Sequence, residues 1–366
     1  MMPAGKIIGF LFVAPFSNRF GRKKSLALAF VISVIGAALQ AASVNLGLLI
    51  FSRFALGFGC GVMSQPSPIL FVDAIAAAWI TFGTLRTTGP WSWRIPTLLQ
   101  GATPFLQLIF SYFLPESPRQ IRDAVRTENN SEKRPTLEKM LASPANRRRL
   151  LISAMVGIVA QWSGNTVVSY YLVLVLNGVG ITNATHQSLI NGGLQIFNLL
   201  ATVGCGSMLV ATLGRRRLFQ WCAVGMTMSY VIWTILNSRF DATGSAGFGY
   251  AVIPMLFVFY FHYDIVLTPL LYSYPTELFP YEWRSRRVAF TLIVTNVTLI
   301  ISQVCNPIAM AKLGQRYFIL FWILDCLFIL QVWFLFPETN WRFGLDVAES
   351  RYRRIPQELA HSSDIP

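Results

Sequence analysis

Pro115 to Arg149, PESPRQIRDAVRTENNSEKRPTLEKMLASPANRRR, is a polar tract between two long apolar blocks, and it divides the chain. It holds nine basic residues against five acidic ones, while Leu, Ile, Val, Phe and Ala dominate on either side. Its polar residues recur at helical intervals behind a proline suited to a first helical turn, so it reads as a linker with short surface helices. The chain is accordingly expected to hold a helical block over 1–114, a linker over 115–149, a second helical block over 150–337 and a polar tail over 338–366.

Composition sets the class. The 366 residues are 54% hydrophobic and only 13% charged, against about 25% charged in soluble domains. A hydrocarbon layer of about 30 Å takes about 20 apolar residues per helix, and only helices or closed barrels satisfy their backbone inside it. The apolar runs here are continuous rather than alternating, which predicts an all-α, multi-pass membrane protein. The net charge of +14 lies in short clusters between apolar runs, so it reads as loop charge that sets topology, not as a nucleic-acid surface. The five cysteines, Cys60, Cys205, Cys222, Cys305 and Cys326, fall inside apolar runs without metal-ligand spacing. Neither a metal nor a cofactor is expected, and the opening residues lack a small-residue cleavage site for a removable signal peptide.

Eleven spans follow, five before the tract and six after it. The first five are Ala4–Phe16, Leu26–Ala42, Leu46–Met63, Ile69–Gly83 and Ile95–Leu114. The other six are Leu150–Leu176, Leu189–Leu213, Leu218–Leu236, Phe248–Leu271, Val288–Ala309 and Tyr317–Phe336. Gly57, Gly59 and Gly61 in the third span predict a close helix approach. Placing the turn at 18–24, the tract, Arg215–Arg217, Arg284–Arg287 and the tail on one side gathers 23 of the 30 basic residues there. That side is cytoplasmic by the positive-inside rule.

The blocks are duplicates. Asn18-Arg-Phe-Gly21-Arg22-Lys23 is echoed by Ala211-Thr-Leu-Gly214-Arg215-Arg216, and Pro115-Glu116-Ser117 by Pro337-Glu338-Thr339. Gly21 to Pro115 covers 94 positions whereas Gly214 to Pro337 covers 123. Gly214 lies 64 positions beyond Leu150, but Gly21 only 20 from the chain start. The expected ancestor therefore has six spans per half, and the first half lacks its opening helix and a segment after Pro68.

These motifs, with WRIP at 93–96, PESPR at 115–119, QWSGNTVVSYYL at 161–172, PTELFPYEWR at 275–284 and PET at 337–339, resemble the sugar porter family of the major facilitator superfamily. Within it the chain is most similar to the fungal lactose permease and hexose transporter group. The resemblance implies two helical bundles rocking about a sugar site near the bilayer midplane, in the plasma membrane. It implies a sugar as substrate and the lipid bilayer as solvent. It also implies no proton-driven accumulation, since the family's acidic first helix has no match here.

Gln161 matches a sugar-contacting glutamine of the family's seventh helix, and Tyr170 and Tyr171 match its aromatic pair. On an unbroken helix Gln161 and Tyr171 stand about 80° apart around the axis, so both can face one cavity. Amide and hydroxyl groups suit ring hydroxyls, and an aromatic face suits the C–H side of a sugar. Asn165 and Thr166 stand near the family's asparagine, and Tyr272 replaces its tenth-helix tryptophan. Gln195, Asn198 and Asn296 are further candidates because polar residues within spans are costly, although each also suits an interhelical hydrogen bond. The resemblance further implies a cytoplasmic latch of Arg22, Glu116 and Arg119 from the first half and Arg215, Arg216, Glu277, Arg284 and Glu338 from the second.

Three readings stand: a facilitative sugar carrier; a transport-incompetent remnant or truncated gene model of one; and a non-transporting sugar sensor or regulatory partner. An enzyme is not expected, because the spans show no paired carboxylates, nucleophile–base set or metal cluster.

Overall fold

The computed structural model describes residues 1–20, 22–63, 69–85, 87, 89–113, 144–278 and 284–337. Most of the polar tract, with Glu116 and Arg119, lies outside the described residues, as do the turn at 64–68 and the tail with Glu338.

Every element described is helical. The first half comprises α1 (Met2–Phe20), α2 (Arg22–Ala41), α3 (Leu46–Met63), α4 (Ile69–Thr84), α5 (Trp91–Leu99) and α6 (Ala102–Phe113). The second comprises α7 (Pro144–Trp162), α8 (Asn165–Gly178), α9 (Ala184–Leu200), α10 (Ser207–Thr212), α11 (Arg215–Thr243), α12 (Ala246–Leu278), α13 (Arg284–Leu313) and α14 (Tyr317–Leu335). A π-helical segment, Ala201–Gly206, joins α9 to α10.

Each expected span falls on helix, and among the described residues seven stretches are long and apolar enough to cross a membrane. Shorter apolar helices lie at Met2–Phe12, Leu46–Val62 and Ala74–Thr84. Three expected spans are not single helices. That at Ile95–Leu114 is α5 and α6, interrupted at Gln100-Gly101; that at Leu150–Leu176 is α7 and α8; and that at Leu189–Leu213 passes through the π segment.

The packing repeats between halves. In the second half α11 packs on α12 and α14; in the first, α2 packs on α3 and α6. The two halves meet along α1 with α13 and along α4 with α9. Counting α7–α8 as the first helix of its half makes α9 the second and α13 the fifth. If α1 and α4 are likewise second and fifth, the two contacts exchange under a twofold rotation, as a duplicated carrier requires. Glycines set the tightest contact: a Cβ added at Gly57 would collide with the Met2 carbonyl, and one at Gly5 with that of Phe54, so only bare backbone lets α1 and α3 approach this closely.

The core of the second bundle is aromatic. Trp233 and Tyr230 of α11 are fully buried, with Trp233 stacked on Phe318 of α14 at 4.7 Å between ring centroids. Phe219 meets Tyr274 edge-on at 5.1 Å. Such pairs add about 0.5–1.5 kcal/mol each beyond the area they bury, so they help fix α11, α12 and α14 as one unit against which α7–α8 is placed.

Candidate substrate site and cytoplasmic latch

The site begins where α7 ends. Gly164 has φ +86°, a left-handed conformation that breaks the expected continuous helix between Gln161 and Tyr171. The angular relation expected of an unbroken helix therefore does not hold. A Cβ at Gly164 would also collide with the Tyr230 hydroxyl, so glycine is required twice over. Side chains stitch the break: Thr166 Oγ1 donates to the Gln161 carbonyl at 2.9 Å and lies 3.1 Å from its Oε1. The Tyr263 hydroxyl of α12 spans it, donating to the Ala160 carbonyl at 2.8 Å and accepting from Asn165 Nδ2 at 3.0 Å. One turn along, Ser169 donates to Asn165 Oδ1 at 2.9 Å and shares a 2.7 Å hydrogen bond with Tyr260.

The next residue of α12 anchors a second cluster. Asp264 is 3% exposed; its Oδ1 accepts from Thr268 Oγ1 at 2.8 Å. With the Asn198 amide nitrogen turned toward acceptors, the orientation its surroundings satisfy, it donates to Asp264 Oδ2 at 3.0 Å and to the Leu194 carbonyl at 2.9 Å. Thr202, in the π segment, donates to the Asp264 carbonyl at 3.3 Å. Tyr263 and Asp264 thus join the α7–α8 break to α9 through one stretch of α12, and the assembled groups are amides, hydroxyls and one carboxylate. That donor and acceptor set fits a polyhydroxylated ligand.

The structure brings Gln161, Asn165 and Thr166 together and places Asn198 beside Asp264. The other candidates bond elsewhere. Tyr171 donates to the Gln303 carbonyl of α13 at 2.9 Å, Gln195 donates to Asn191 at 3.5 Å, and Asn296 is buried with its amide on the Leu292 carbonyl of its own helix at 2.8 Å. Tyr170 is exposed and Tyr272 half-buried.

Sequence reasoning passed over Ser169, Tyr260, Tyr263 and Asp264, and further charges inside apolar runs, among them Arg53 of α3, Asp73 of α4 and Asp325 of α14. The acids and Arg53 stand inside apolar runs, where charge is costly, but none matched a family motif as Gln161 did. Asp325 is 1% exposed, with neither oxygen hydrogen-bonded among the described residues. Nothing in the sequence distinguishes an inward tyrosine hydroxyl from one at the lipid interface.

The residues expected to form a latch are described in part. Arg215 grips Glu277 with Nη2 at 2.9 Å and Nε at 3.2–3.3 Å from the two carboxylate oxygens. The pair joins the start of α11 to the end of α12 with side chains only 12% and 16% exposed. Arg216 donates to the Trp333 carbonyl and lies over the Trp333 ring at 5.7 Å. Arg22 and Arg284 open α2 and α13; Glu116, Arg119 and Glu338 lie outside the described residues.

Comparison with known proteins extends these observations. The family described as "Sugar (and other) transporter" matches residues 1–74, 72–136 and 119–346. The first break in that match falls just beyond Pro68, where a missing segment is expected. The MFS-type transporter oryC of Aspergillus oryzae is 26% identical over 413 aligned residues, covering 96% of this chain and 76% of that protein. The sugar transporter STL1 of Saccharomyces cerevisiae is 26% identical over 399, covering 92% and 69%. Both alignments are longer than the chain's 366 residues, so these relatives carry residues that it lacks within the matched region. Among solved structures, the inward-open xylose transporter XylE from E. coli superposes with a TM-score of 0.71 at 19% identity, over 93% of this chain and 85% of that one. The chain therefore belongs to the sugar (and other) transporter family and has the two-bundle fold of the major facilitator superfamily.

Proposed function

We propose that this chain carries a hexose or disaccharide across the plasma membrane by alternating access. The supporting observation is the polar cluster of Gln161, Asn165, Thr166, Asn198, Tyr263 and Asp264, gathered from α7–α8, α9 and α12 inside the second bundle. Polar and ionisable groups inside membrane spans are functional-site candidates, and the names of several relatives specify sugar transport. Breaks in both substrate-facing spans, at Gly164 and in the π segment, offer places for local bending during the cycle. The Arg215–Glu277 fork ties α11 to α12 at the end of the second bundle that the positive-inside rule puts in the cytoplasm. Its side chains are only 12% and 16% exposed, so breaking the pair costs more than the roughly 0–1 kcal/mol of an exposed one, and it holds the start of α11 against the end of α12.

The test is uptake of radiolabelled glucose, galactose and lactose by hexose-transport-deficient yeast expressing the chain. A carrier gives saturable uptake of at least one of these above vector-only cells. Surface-localised protein with no uptake of any would count against the proposal.

A further inference from the structure

Asp264 is a carboxyl group with no partner of opposite charge. It is almost fully buried within the long apolar helix α12, and among the described residues no cation pairs with it. Its two oxygens accept from neutral donors, Thr268 Oγ1 at 2.8 Å and Asn198 Nδ2 at 3.0 Å. The nearest basic residue in sequence, His262, packs instead on Trp221 of α11 at 4.6 Å between ring centroids, with Nδ1 2.8 Å from the Val258 carbonyl. A carboxylate offers about four lone-pair sites, so these two donors leave room for a ligand. At membrane depth such a group needs a proton or a cation beside it.

Its surroundings suit a cation joined to a polyhydroxylated body. Tyr260 lies one turn before Asp264 on α12, and its ring meets that of Tyr263 edge-on at 6.3 Å; aromatic rings attract cations that have left water. The hydroxyls of both tyrosines reach α8, Tyr260 at Ser169 and Tyr263 at Asn165, and those two α8 residues keep part of their surface exposed. Neutral amides and hydroxyls thus lead by hydrogen bonds to the helical turn that carries the carboxylate. We propose that the preferred ligand of this site is a sugar bearing an ammonium group, a hexosamine, an inference that rests on the carrier reading above and narrows its hexose. The ammonium supplies the missing charge to Asp264 while the ring hydroxyls meet the neutral groups. A charge-assisted hydrogen bond is roughly twice as strong as a neutral one, so an uncharged sugar gains less from the same carboxylate.

The test is ligand-dependent thermal unfolding of the purified full chain with glucosamine, glucose and N-acetylglucosamine at about pH 7, where an amine titrating near 8 is mostly charged. Glucosamine should give the same rise in midpoint at about a tenth or less of the concentration of either neutral sugar. In Asp264→Asn the three sugars should become equal. Should that variant not fold, wild-type protein at about pH 9.5, where the amine is neutral, should lose the preference instead. Equal responses of the wild type to the three sugars, or a preference that survives in Asp264→Asn or at the higher pH, would overturn the inference. Uptake of glucose without any preference for glucosamine would overturn it and leave the carrier reading standing. Preferential stabilisation by glucosamine without uptake of any sugar would uphold the ligand assignment and remove the carrier reading.

Discussion

Gly164→Ala is expected to remove most of the folded carrier, although it adds a single methyl group. Left-handed backbone costs a non-glycine residue about 1–2 kcal/mol, and the added Cβ meets the Tyr230 ring and hydroxyl. Tyr230 cannot yield easily: it is fully buried and stacked on Trp233 at 5.4 Å and Phe321 at 5.7 Å. Overpacking of this kind adds about 1–3 kcal/mol. The total is a large share of the roughly 5–15 kcal/mol that typically separates folded from unfolded protein. Gly193→Ala is the control, because a Cβ there meets nothing within 4 Å. Fluorescence-detected size exclusion of tagged protein should show a collapsed monodisperse peak for Gly164→Ala and a wild-type peak for Gly193→Ala. Equal peaks would mean that the α7–α8 break is not built as described.

Asp264→Ala should leave a folded carrier that has lost its uptake. The substitution removes the acceptors of Thr268 Oγ1 and Asn198 Nδ2. Threonine in a helix can turn its hydroxyl to the carbonyl four residues back, so the structural loss is partly absorbed. A sugar that uses the carboxylate has no replacement for it. Hydrogen bonds to charged groups contribute about 1.5–3 kcal/mol, which corresponds to a fall of about ten- to a hundredfold in uptake per folded molecule. Asp264→Asn keeps the shape and one acceptor and should fall between the two. Asp325→Asn should transport normally, because Asp325 shares no hydrogen bond with the cluster. Wild-type uptake by Asp264→Ala would remove Asp264 from the site.

The fold was legible because the bilayer imposes a coarse rule: apolar runs of sufficient length become helices, and all the expected spans did. The glycine spacing at 57–61 correctly announced the α1–α3 approach, since backbone contact needs the absence of side chains. Interruptions were harder to read. Gly164 resembles many glycines inside spans, and whether it breaks a helix depends on Tyr230 from distant sequence, not on local propensity. The polar groups gathered around Tyr263 and Asp264 were half legible. Gln161, Asn165 and Thr166 were found through their match to a family motif and Asn198 as a polar group in an apolar run, whereas Tyr260 and Tyr263 join through hydroxyl directions that depend on how α12 rotates against α8. Asp264 also stands in an apolar run but matched no family motif.

Alternating access by a sugar carrier is tested most directly by counterflow. The purified chain in liposomes preloaded with unlabelled sugar should draw in labelled sugar to a transient peak above its equilibrium level, because one site faces the two sides in turn. Labelled sugar that never rises above the level in protein-free liposomes, with the protein shown to be folded and inserted, would contradict the account.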